Sequence, residues 1–409
     1  AIPFAFLPLM VISLNHGKLA ATGTAMVGAI LVSLFAGPQY AIVLYLIFGG
    51  LAAALVSANI QKRWQIILPS LIVGLVNSVS VLAFSLDWQA VFPVAFKLPG
   101  INTLLPGKSL EPALMQHLGW AFAGGLVAGP LALLCLPLLE ISWDTASTFK
   151  LNRYMDLQRP LIKNLQKQAP GTYQHSMTVA YLSQVVGEAT GANSLLLRIG
   201  AYYHDIGKME TPRNFIENQF NSENPHDFLD PWESTELIIN HVRNGMKMAM
   251  NSGLHRAVVD LIVQHHGTHR LEYFFSIAAK DQPREIIDET DFRYPGPKPQ
   301  STEAAILMIV DAAEAASRTM QDPTHLKLEK MVRLIVGKRI EDGQFSECDL
   351  TTRDISKIVL ALVDALEVSF HSRIRYPWQE KAAAKKGSHW TFGSSDRDKQ
   401  QQSRKSFKM

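Results

Sequence analysis

The sequence predicts an all-α protein in two parts, a polytopic helical membrane domain followed by a cytoplasmic all-helical domain. Charge divides the 409 residues unevenly, because only five of the 39 Lys/Arg and three of the 36 Asp/Glu occur before residue 144. Long apolar stretches fill this first part, whereas apolar residues later recur with the spacing of a helix face. No alternation typical of strands is present. We therefore predict domains at residues 1–142 and 143–380, followed by a disordered basic tail at 381–409.

Five apolar stretches in the first part are candidates for membrane helices. Four of them are long enough to cross a bilayer as helices of roughly 20 residues, and the first is short. We expect the short one to continue a helix from upstream sequence, because the chain begins with Ala rather than Met. The stretches are Ile2–Leu14, Leu19–Gly37, Tyr40–Ala58, Trp64–Leu86 and Gly119–Ile141.

Basic residues between the stretches predict the orientation in the membrane. Lys18 and the pair Lys62-Arg63 occupy connections that should face the cytoplasm, where loops are enriched in cations. Five crossings then place the second part in the cytoplasm and the connection Asp87–Leu118 outside. No stretch carries a pair of ionisable residues, which argues against an ion pump or a proton relay.

Metal-ligand residue types recur on five predicted helices of the second part. Thr172 is a candidate N-cap of the first helix, and Gly207 is a candidate C-terminal signal of the second. The helices are predicted at residues 172–190, 194–207, 232–245, 254–267 and 302–320. The ligand-type residues that they carry are His175, His204, Asp205, His241, His265, His266 and Asp311.

These seven residues are numerous enough for two metal ions. Imidazole and carboxylate suit Fe, Mn and Zn, and the lack of nearby cysteines argues against a structural zinc site. Two metals close together activate water and clamp the attacking and leaving oxygens of a phosphoester. The first predicted ligand set is His175, His204, Asp205 and Asp311. The second is His241, His265 and His266, if Asp205 bridges the two metals.

Several strings resemble the HD phosphohydrolase superfamily and, within it, the seven-transmembrane HD receptor-like family. The superfamily pattern is HD followed by GK, with an upstream His and a downstream Asp. The longer strings APGTYQHS, GAYYHDIGKM, FIENQ, ENPHD, QHHGT, FRYPGPKPQ and DAAEAASR resemble the cytoplasmic domain of the family and fall within residues 140–377. The resemblance implies an all-helical HD fold for the second part. It also implies hydrolysis of cyclic di-AMP, a bacterial second messenger, to linear pApA.

The resemblance further implies roles for individual residues. All seven ligand-type residues match metal ligands of the family, and two divalent ions, Fe or Mn, are the expected cofactors. Asp205 is expected to act in catalysis by bridging them, and Lys208 by contacting a phosphate. Arg293 and Arg318 are further candidates for substrate binding. Family members usually carry seven helices and an extracellular sensing domain, so we expect an N-terminally shortened member.

We expect a multi-pass protein of the bacterial inner (plasma) membrane, with the HD domain in the cytoplasm and regulated through the membrane domain. The expected partners are the bilayer and a cyclic dinucleotide; Gly-rich membrane helices are compatible with a homodimer, and no nucleic-acid polymer is expected. Two alternatives remain. Another HD phosphohydrolase, acting on a nucleotide or guanosine tetraphosphate, would use a similar metal core. A non-catalytic nucleotide-binding membrane receptor would be expected to lack ligands, and none is missing.

Overall fold

The computed structural model describes residues 4–13, 17–36, 40–57, 60, 62–85, 112–142, 147–219, 223–281 and 286–371. Within these ranges the regular structure is helical, apart from one isolated antiparallel bridge between Arg270 and Arg293. The predicted all-α fold is therefore confirmed. The predicted basic tail at 381–409, the proposed boundary at 142/143 and most of the connection 87–118 lie outside the described residues.

The described residues of the first part form five apolar α-helices in the predicted order. Two of them are long and apolar enough to cross a membrane, at Arg63–Phe84 with a mean hydropathy of 2.2 and at Leu114–Glu140 with 2.1. Shorter apolar segments lie at Ala20–Val32 and Val43–Val56. The helices are α1 (Phe6–Ser13), α2 (Gly17–Ala36), α3 (Tyr40–Val56), α4 (Ile67–Ser85) and α5 (Pro112–Ser142).

The start of α5 corrects the sequence prediction. The helix begins at Pro112 rather than at Gly119, so residues 112–118 belong to a helix and not to the connection. Proline suits the first position of a helix, where its missing N–H has no partner to lose. Ala113, Leu114 and Met115 then continue the helix with high intrinsic propensity.

Glycines let α4 and α5 touch along their backbones. A Cβ atom on Gly125 would lie 2.3 Å from the amide nitrogen of Gly74, so a larger residue cannot be accommodated at this crossing. Small residues at helix crossings are typical of membrane bundles, whose association depends on close packing. Outward-facing side chains of the same helices are apolar, as for Leu68 and Leu134. The surface is therefore suited to lipid rather than water.

The second part contains ten helices among its described residues. Five of these α-helices are predicted individually from the sequence, and the others pack around these five. The helices are α6 (Thr148–Tyr154), α7 (Pro160–Gln168), α8 (Pro170–Thr190), α9 (Ser194–Tyr203), α10 (Pro231–Asn251), α11 (Arg256–Gln264), α12 (Glu272–Asp281), α13 (Thr302–Arg318), α14 (His325–Glu341) and α15 (Thr352–His371).

Helix α13 is the central element of this part. Its residues from Ala304 to Val310 are all buried, and it packs against α8, α9, α11 and α14. A helix that is apolar on all sides is typical of a core position. Asp311 and Glu314 follow the apolar run directly, so α13 brings two carboxyl groups into the interior of the domain.

The predicted cap of α8 is wrong. The helix begins at Pro170, two residues before Thr172, because Pro occupies its first position. The side chain of Asn218, from a remote turn, accepts hydrogen bonds from the amides of Gly171 at 2.9 Å and Thr172 at 3.2 Å. The Thr172 hydroxyl instead donates to Glu217 Oε1 at 3.0 Å. This tertiary cap fixes the turn around residues 216–218 against the start of α8.

Gly207 serves a different purpose from the one predicted. Helix α9 ends at Tyr203, and Gly207 lies in the 3₁₀ turn Ile206–Met209, which packs against α10. A Cβ atom on Gly207 would lie 1.9 Å from the carbonyl oxygen of His241. The glycine therefore permits close contact between the turn that follows His204-Asp205 and the helix that carries His241.

We expect Gly207→Ala to destabilise the protein by about 3 kcal/mol, because inserting a methyl group here forces the backbone apart. The atoms that it would meet, in His241 and Gly245, belong to the backbone and cannot rotate away. Gly337→Ala is the matched control, since nothing lies within 4 Å of a Cβ atom there. Thermal unfolding of the two variants measures the difference, and equal melting temperatures would contradict the close contact.

Candidate metal centre

The structure brings together all seven residues that the sequence predicts as metal ligands. Their ligand atoms form two groups, and within each group these atoms lie within 4.8 Å of one another. The first group comprises His175, His204, Asp205 and Asp311. The second comprises His241, His265 and His266. Both groups coincide with the sets predicted from the sequence.

Asp205 lies between the two groups. Its Oδ2 atom is 3.2 Å from His204 Nε2, whereas its Oδ1 atom is 3.4 Å from His241 Nε2 and 3.8 Å from His265 Nε2. One oxygen therefore faces each group. This is the arrangement that a carboxylate needs in order to bridge two cations.

Three of the imidazoles are oriented by their own helices. Each hydrogen-bonds through Nδ1 to the carbonyl oxygen three residues earlier, at 2.8 Å for His204, 2.5 Å for His241 and 2.7 Å for His265. A carbonyl oxygen only accepts, so Nδ1 carries the proton. In the neutral imidazole, Nε2 then carries no proton, and its lone pair is free to bind a metal. This nitrogen points to the cluster. Backbone contacts of this kind fix the tautomer and ring orientation of metal-ligating histidines.

Two buried atoms at the centre have no hydrogen-bond partner, namely His204 Nε2 and Asp205 Oδ1. Buried polar atoms in folded proteins are nearly always satisfied, so these two unsatisfied atoms within the cluster indicate that it binds a further group. Imidazole nitrogens and carboxylate oxygens are ligands for divalent first-row metals. The residues present therefore fit divalent metal ions.

The first group holds protons in the absence of metal. Burial lowers the pKa of His175, but hydrogen bonds with Asp311 and Glu314 outweigh burial and raise its pKa to about 8. Burial likewise opposes protonation of His204, yet the charge of Asp205 raises the pKa of His204 to about 10. The same contacts hold the pKa of Asp205 and Asp311 well below the usual range, despite burial. Both imidazoles thus act as counter-ions of the two carboxylates.

The second group is neutral. Burial lowers the pKa of His241 to about 4, although the charge of Asp205 partly opposes this. Burial and the nearby charge of His204 lower the pKa of His265 to about 3. Burial, reinforced by His265, holds the pKa of His266 well below its usual value. These three nitrogens are available for a metal near neutral pH without losing a proton.

We expect metal loading to release about two protons per chain at pH 7, from His175 and His204, because a ligating imidazole must be deprotonated. Protons therefore compete with the metal, and affinity at the first group falls as the pH is lowered below the two pKa values. Calorimetric titration with Mn²⁺ in buffers of different ionisation enthalpy counts the protons. Loading without proton release would show that both imidazoles are already neutral.

Lys208 extends the cluster towards the surface of the 3₁₀ turn. Its Nζ atom is 2.7 Å from Asp205 Oδ2 and 2.9 Å from Glu217 Oε1, and it lies over the ring of Phe215. Burial opposes its charge, but Asp205 and Glu217 raise its pKa above the usual value, so the amine stays protonated. Glu217 was not predicted as a site residue, although it belongs to the string FIENQ.

Two further residues support the cluster and were not among the individually predicted site residues. Glu314 Oε2 accepts a hydrogen bond from His175 Nδ1 at 2.6 Å, which leaves His175 Nε2 facing Asp311 Oδ1 at 2.9 Å. The ring of Tyr294 stacks on His266, with centroids 4.3 Å apart. A signal for Glu314 existed, because an acid one turn after Asp311 on an apolar helix is unusual.

Glu314→Leu is expected to weaken metal binding at the first group by about 10- to 100-fold, because His175 loses the carboxylate that fixes its ring. Glu329→Leu on α14 is the matched control, since Glu329 contacts the exposed Arg333 instead. Metal titration of both variants provides the comparison. Unchanged affinity in Glu314→Leu would mean that His175 does not need this carboxylate for its orientation.

The two arginines predicted to bind substrate are both paired with carboxylates. Arg293 Nη1 is 2.9 Å from Asp342 Oδ1 and also donates to the carbonyl oxygen of Thr268 at 2.9 Å. Arg318 Nη2 is 2.5 Å from Glu314 Oε1, so Arg318 reaches the cluster through Glu314 and His175. Each guanidinium charge is therefore already compensated within the protein.

Comparison with known proteins identifies both parts of the chain. Residues 172–316 match the family model for the HD domain, and residues 1–147 match that of the 7TM receptor with intracellular HD hydrolase. The chain belongs to this receptor family. The chain is similar to the solved HD domain of Listeria monocytogenes PgpH, which was crystallised in complex with cyclic-di-AMP. That structure is 42% identical with a TM-score of 0.50, and the match covers 53% of this chain and 100% of the solved one.

Two longer curated relatives support the same family assignment. The cyclic-di-AMP phosphodiesterase PgpH of Bacillus subtilis (strain 168) is 39% identical over 339 residues, which cover 83% of this chain and 45% of that protein. PgpH of Listeria monocytogenes is 35% identical over 376 residues, which cover 92% of this chain and 50% of that protein. The chain thus spans about half the length of the curated relatives that it matches.

Proposed function

We propose that the chain is a membrane-anchored, metal-dependent phosphodiesterase that hydrolyses cyclic di-AMP to linear pApA and is regulated through its membrane domain. The observation that carries this proposal is the match to an HD domain crystallised with cyclic-di-AMP, 42% identical over the whole of that chain. The seven clustered ligand-type residues support it, because a non-catalytic receptor would have no need of a complete metal centre.

We propose two divalent ions, Fe or Mn, as the cofactors, one held by each group and both contacted by Asp205. When bound, such ions activate water and neutralise charge on the phosphate. The imidazoles of the second group are neutral and can bind a metal directly. In the first group, a metal can displace the proton on His204. The complete second group favours a two-metal enzyme over an HD hydrolase that uses only the His, His-Asp and Asp set.

Lys208 is proposed to stabilise negative charge on the reacting phosphate. Its ammonium group lies 2.7 Å from Asp205 Oδ2, and therefore beside the position where a phosphate would meet the cluster. Because its pKa is raised, Lys208 acts as a fixed positive charge and not as a general base. Glu217 holds this amine in place at 2.9 Å. Asp205, ionised and contacting both groups, is proposed as a bridging ligand rather than as the base.

The setting is proposed to be the bacterial inner (plasma) membrane, with domain boundaries at residues 142/143 and 380/381. The HD domain would then lie in the cytoplasm, where a nucleotide second messenger occurs. Gly74 and Gly125 pack α4 against α5 within one chain, and a homodimer through other faces of the membrane helices is part of the proposal.

A competition panel tests the substrate. We expect cyclic di-AMP to be hydrolysed by the Mn²⁺-loaded chain and to be displaced poorly by cyclic di-GMP, guanosine tetraphosphate or mononucleotides. Faster turnover of any of these competitors would assign the chain to a different HD reaction. Tight binding of cyclic di-AMP without turnover, in a chain that holds its metals, would instead indicate a non-catalytic nucleotide-binding receptor.

A further inference from the structure

Arg339, near the end of α14, is a buried cation that has no partner among the residues that the structure describes. The residue is only 9% exposed, and its Nε atom is fully buried without a hydrogen bond. No ion pair or side-chain hydrogen bond joins it to any residue that the structure describes. Arg293 and Arg318, by contrast, are each paired with a carboxylate although both are more exposed.

A guanidinium in this state is unfavourable for folding. Arginine does not lose its proton in proteins, so Arg339 cannot escape the cost of burial by becoming neutral. Burying an unpaired charge is costly, and it is tolerated where a partner arrives from outside the chain. An anionic ligand would provide that partner, and the planar fork of arginine suits a phosphate particularly well.

The end of α14 lies beside the second ligand group, because the carbonyl oxygen of Arg339 accepts a hydrogen bond from the Gln344 amide at 2.9 Å, and Gln344 Oε1 accepts one from the amide of Thr268 at 3.0 Å, two residues after His266. Asp311 and Asp342 are the charged acids that act on Arg339, and the phenol of Tyr294, kept neutral by burial, is a further neighbour. Asp311 belongs to the first ligand group, and Tyr294 stacks on His266 of the second. Asp342 is already engaged by Arg293 at 2.9 Å and by Gln344 at 2.8 Å, and so does not neutralise Arg339 by direct contact.

We infer that Arg339 binds a phosphate group of the nucleotide substrate, at a contact separate from Lys208. This inference rests on the proposed function. Lys208 is held by Asp205 and Glu217 beside the cluster, whereas a cyclic dinucleotide carries two phosphates and needs a second cationic contact. Arg339 is the cation near the metal centre that forms no ion pair with a carboxylate of the described residues. It replaces Arg293 and Arg318 as the primary arginine for substrate binding.

The test compares Arg339→Gln and Arg339→Lys with Arg333→Gln in the full chain, loaded with Mn²⁺. Arg333 lies on the same helix, is exposed and is paired with Glu329. We expect Arg339→Gln to raise KM for cyclic di-AMP by about tenfold or more, with Arg339→Lys intermediate and Arg333→Gln unchanged. Metal content should be unchanged in all three. The melting temperature of Arg339→Gln without substrate should be equal to or higher than that of the unaltered chain, because a buried unpaired charge is removed.

A purely structural role would give the opposite pattern. A lower melting temperature for Arg339→Gln with KM within twofold of the unaltered chain would overturn the inference. If the unaltered chain does not hydrolyse cyclic di-AMP, the proposed function fails. The anion contact is then tested with inorganic phosphate, added to protein from which a chelator has removed the metal. Phosphate should then raise the melting temperature of the unaltered chain but not that of Arg339→Gln. An equal shift in both, or no shift in either, would overturn the anion contact itself.

Discussion

Replacement of His204 and Asp205 together by Ala is expected to abolish metal binding and to lower hydrolysis by at least about 1,000-fold. The pair provides one nitrogen of the first group and both oxygens that face the two groups. Asp205 makes the closer contact between the two groups, since its Oδ1 atom lies 3.4 Å from His241 Nε2, whereas Asp311 Oδ2 lies 4.0 Å from His266 Nδ1. Metal analysis of the purified variant, together with product formation, measures the two losses.

The matched control for this double variant is His325→Ala. His325 is exposed and contacts Glu367 on the surface, so its loss should leave metal content and activity unchanged. The membrane helices do not contribute to the cluster, and the variant should therefore be inserted in membranes like the unaltered chain. Retained turnover in the His204-Asp205 variant would refute the metal mechanism.

Replacement of His265 and His266 by Ala is expected to leave about one metal per chain and to lower kcat by at least about 100-fold. These residues supply two of the three nitrogens of the second group, whereas the first group keeps all four of its ligands. Metal analysis thus distinguishes a two-metal centre from a one-metal centre. Full activity with a single bound metal would show that the second group is structural.

His255→Ala is a suitable control for the second variant, because His255 is a buried histidine at the start of the same helix, α11, outside the metal-ligand groups. Its side chain caps that helix by accepting a hydrogen bond from the amide of Ala257 at 3.2 Å. Its replacement should lower stability modestly and leave two metals bound. This separates the effect of losing a buried imidazole from that of losing a ligand.

The sequence predicted which ligand-type residues come together, because residue type and helix ends carried the information. His204-Asp205 and His265-His266 lie directly after α9 and α11, where side chains leave a helix and converge. The two ligand groups found in the structure match the predicted division. Their identity as metal ligands, as well as the roles of Lys208 and the arginines, remains a prediction until metal is measured.

Features that depend on tertiary contact could not be predicted. Gly207 looked like a helix terminator, but its role is fixed by the carbonyl oxygen of His241, which is 34 positions further along the chain. Thr172 looked like a cap, but Asn218 provides that function from another turn. Arg339 gave no signal, because only the folded arrangement of the described residues shows that none of their carboxylates pairs with it.

The most direct test of the central claim uses the purified full chain in detergent. Cyclic di-AMP is incubated with the chain, with and without added Mn²⁺ or Fe²⁺, and linear pApA is followed by chromatography. The proposed function predicts pApA in the metal-loaded sample, its loss after chelation and its return when metal is restored. A chain that binds two metals per molecule and forms no pApA would contradict the assignment as a cyclic di-AMP phosphodiesterase.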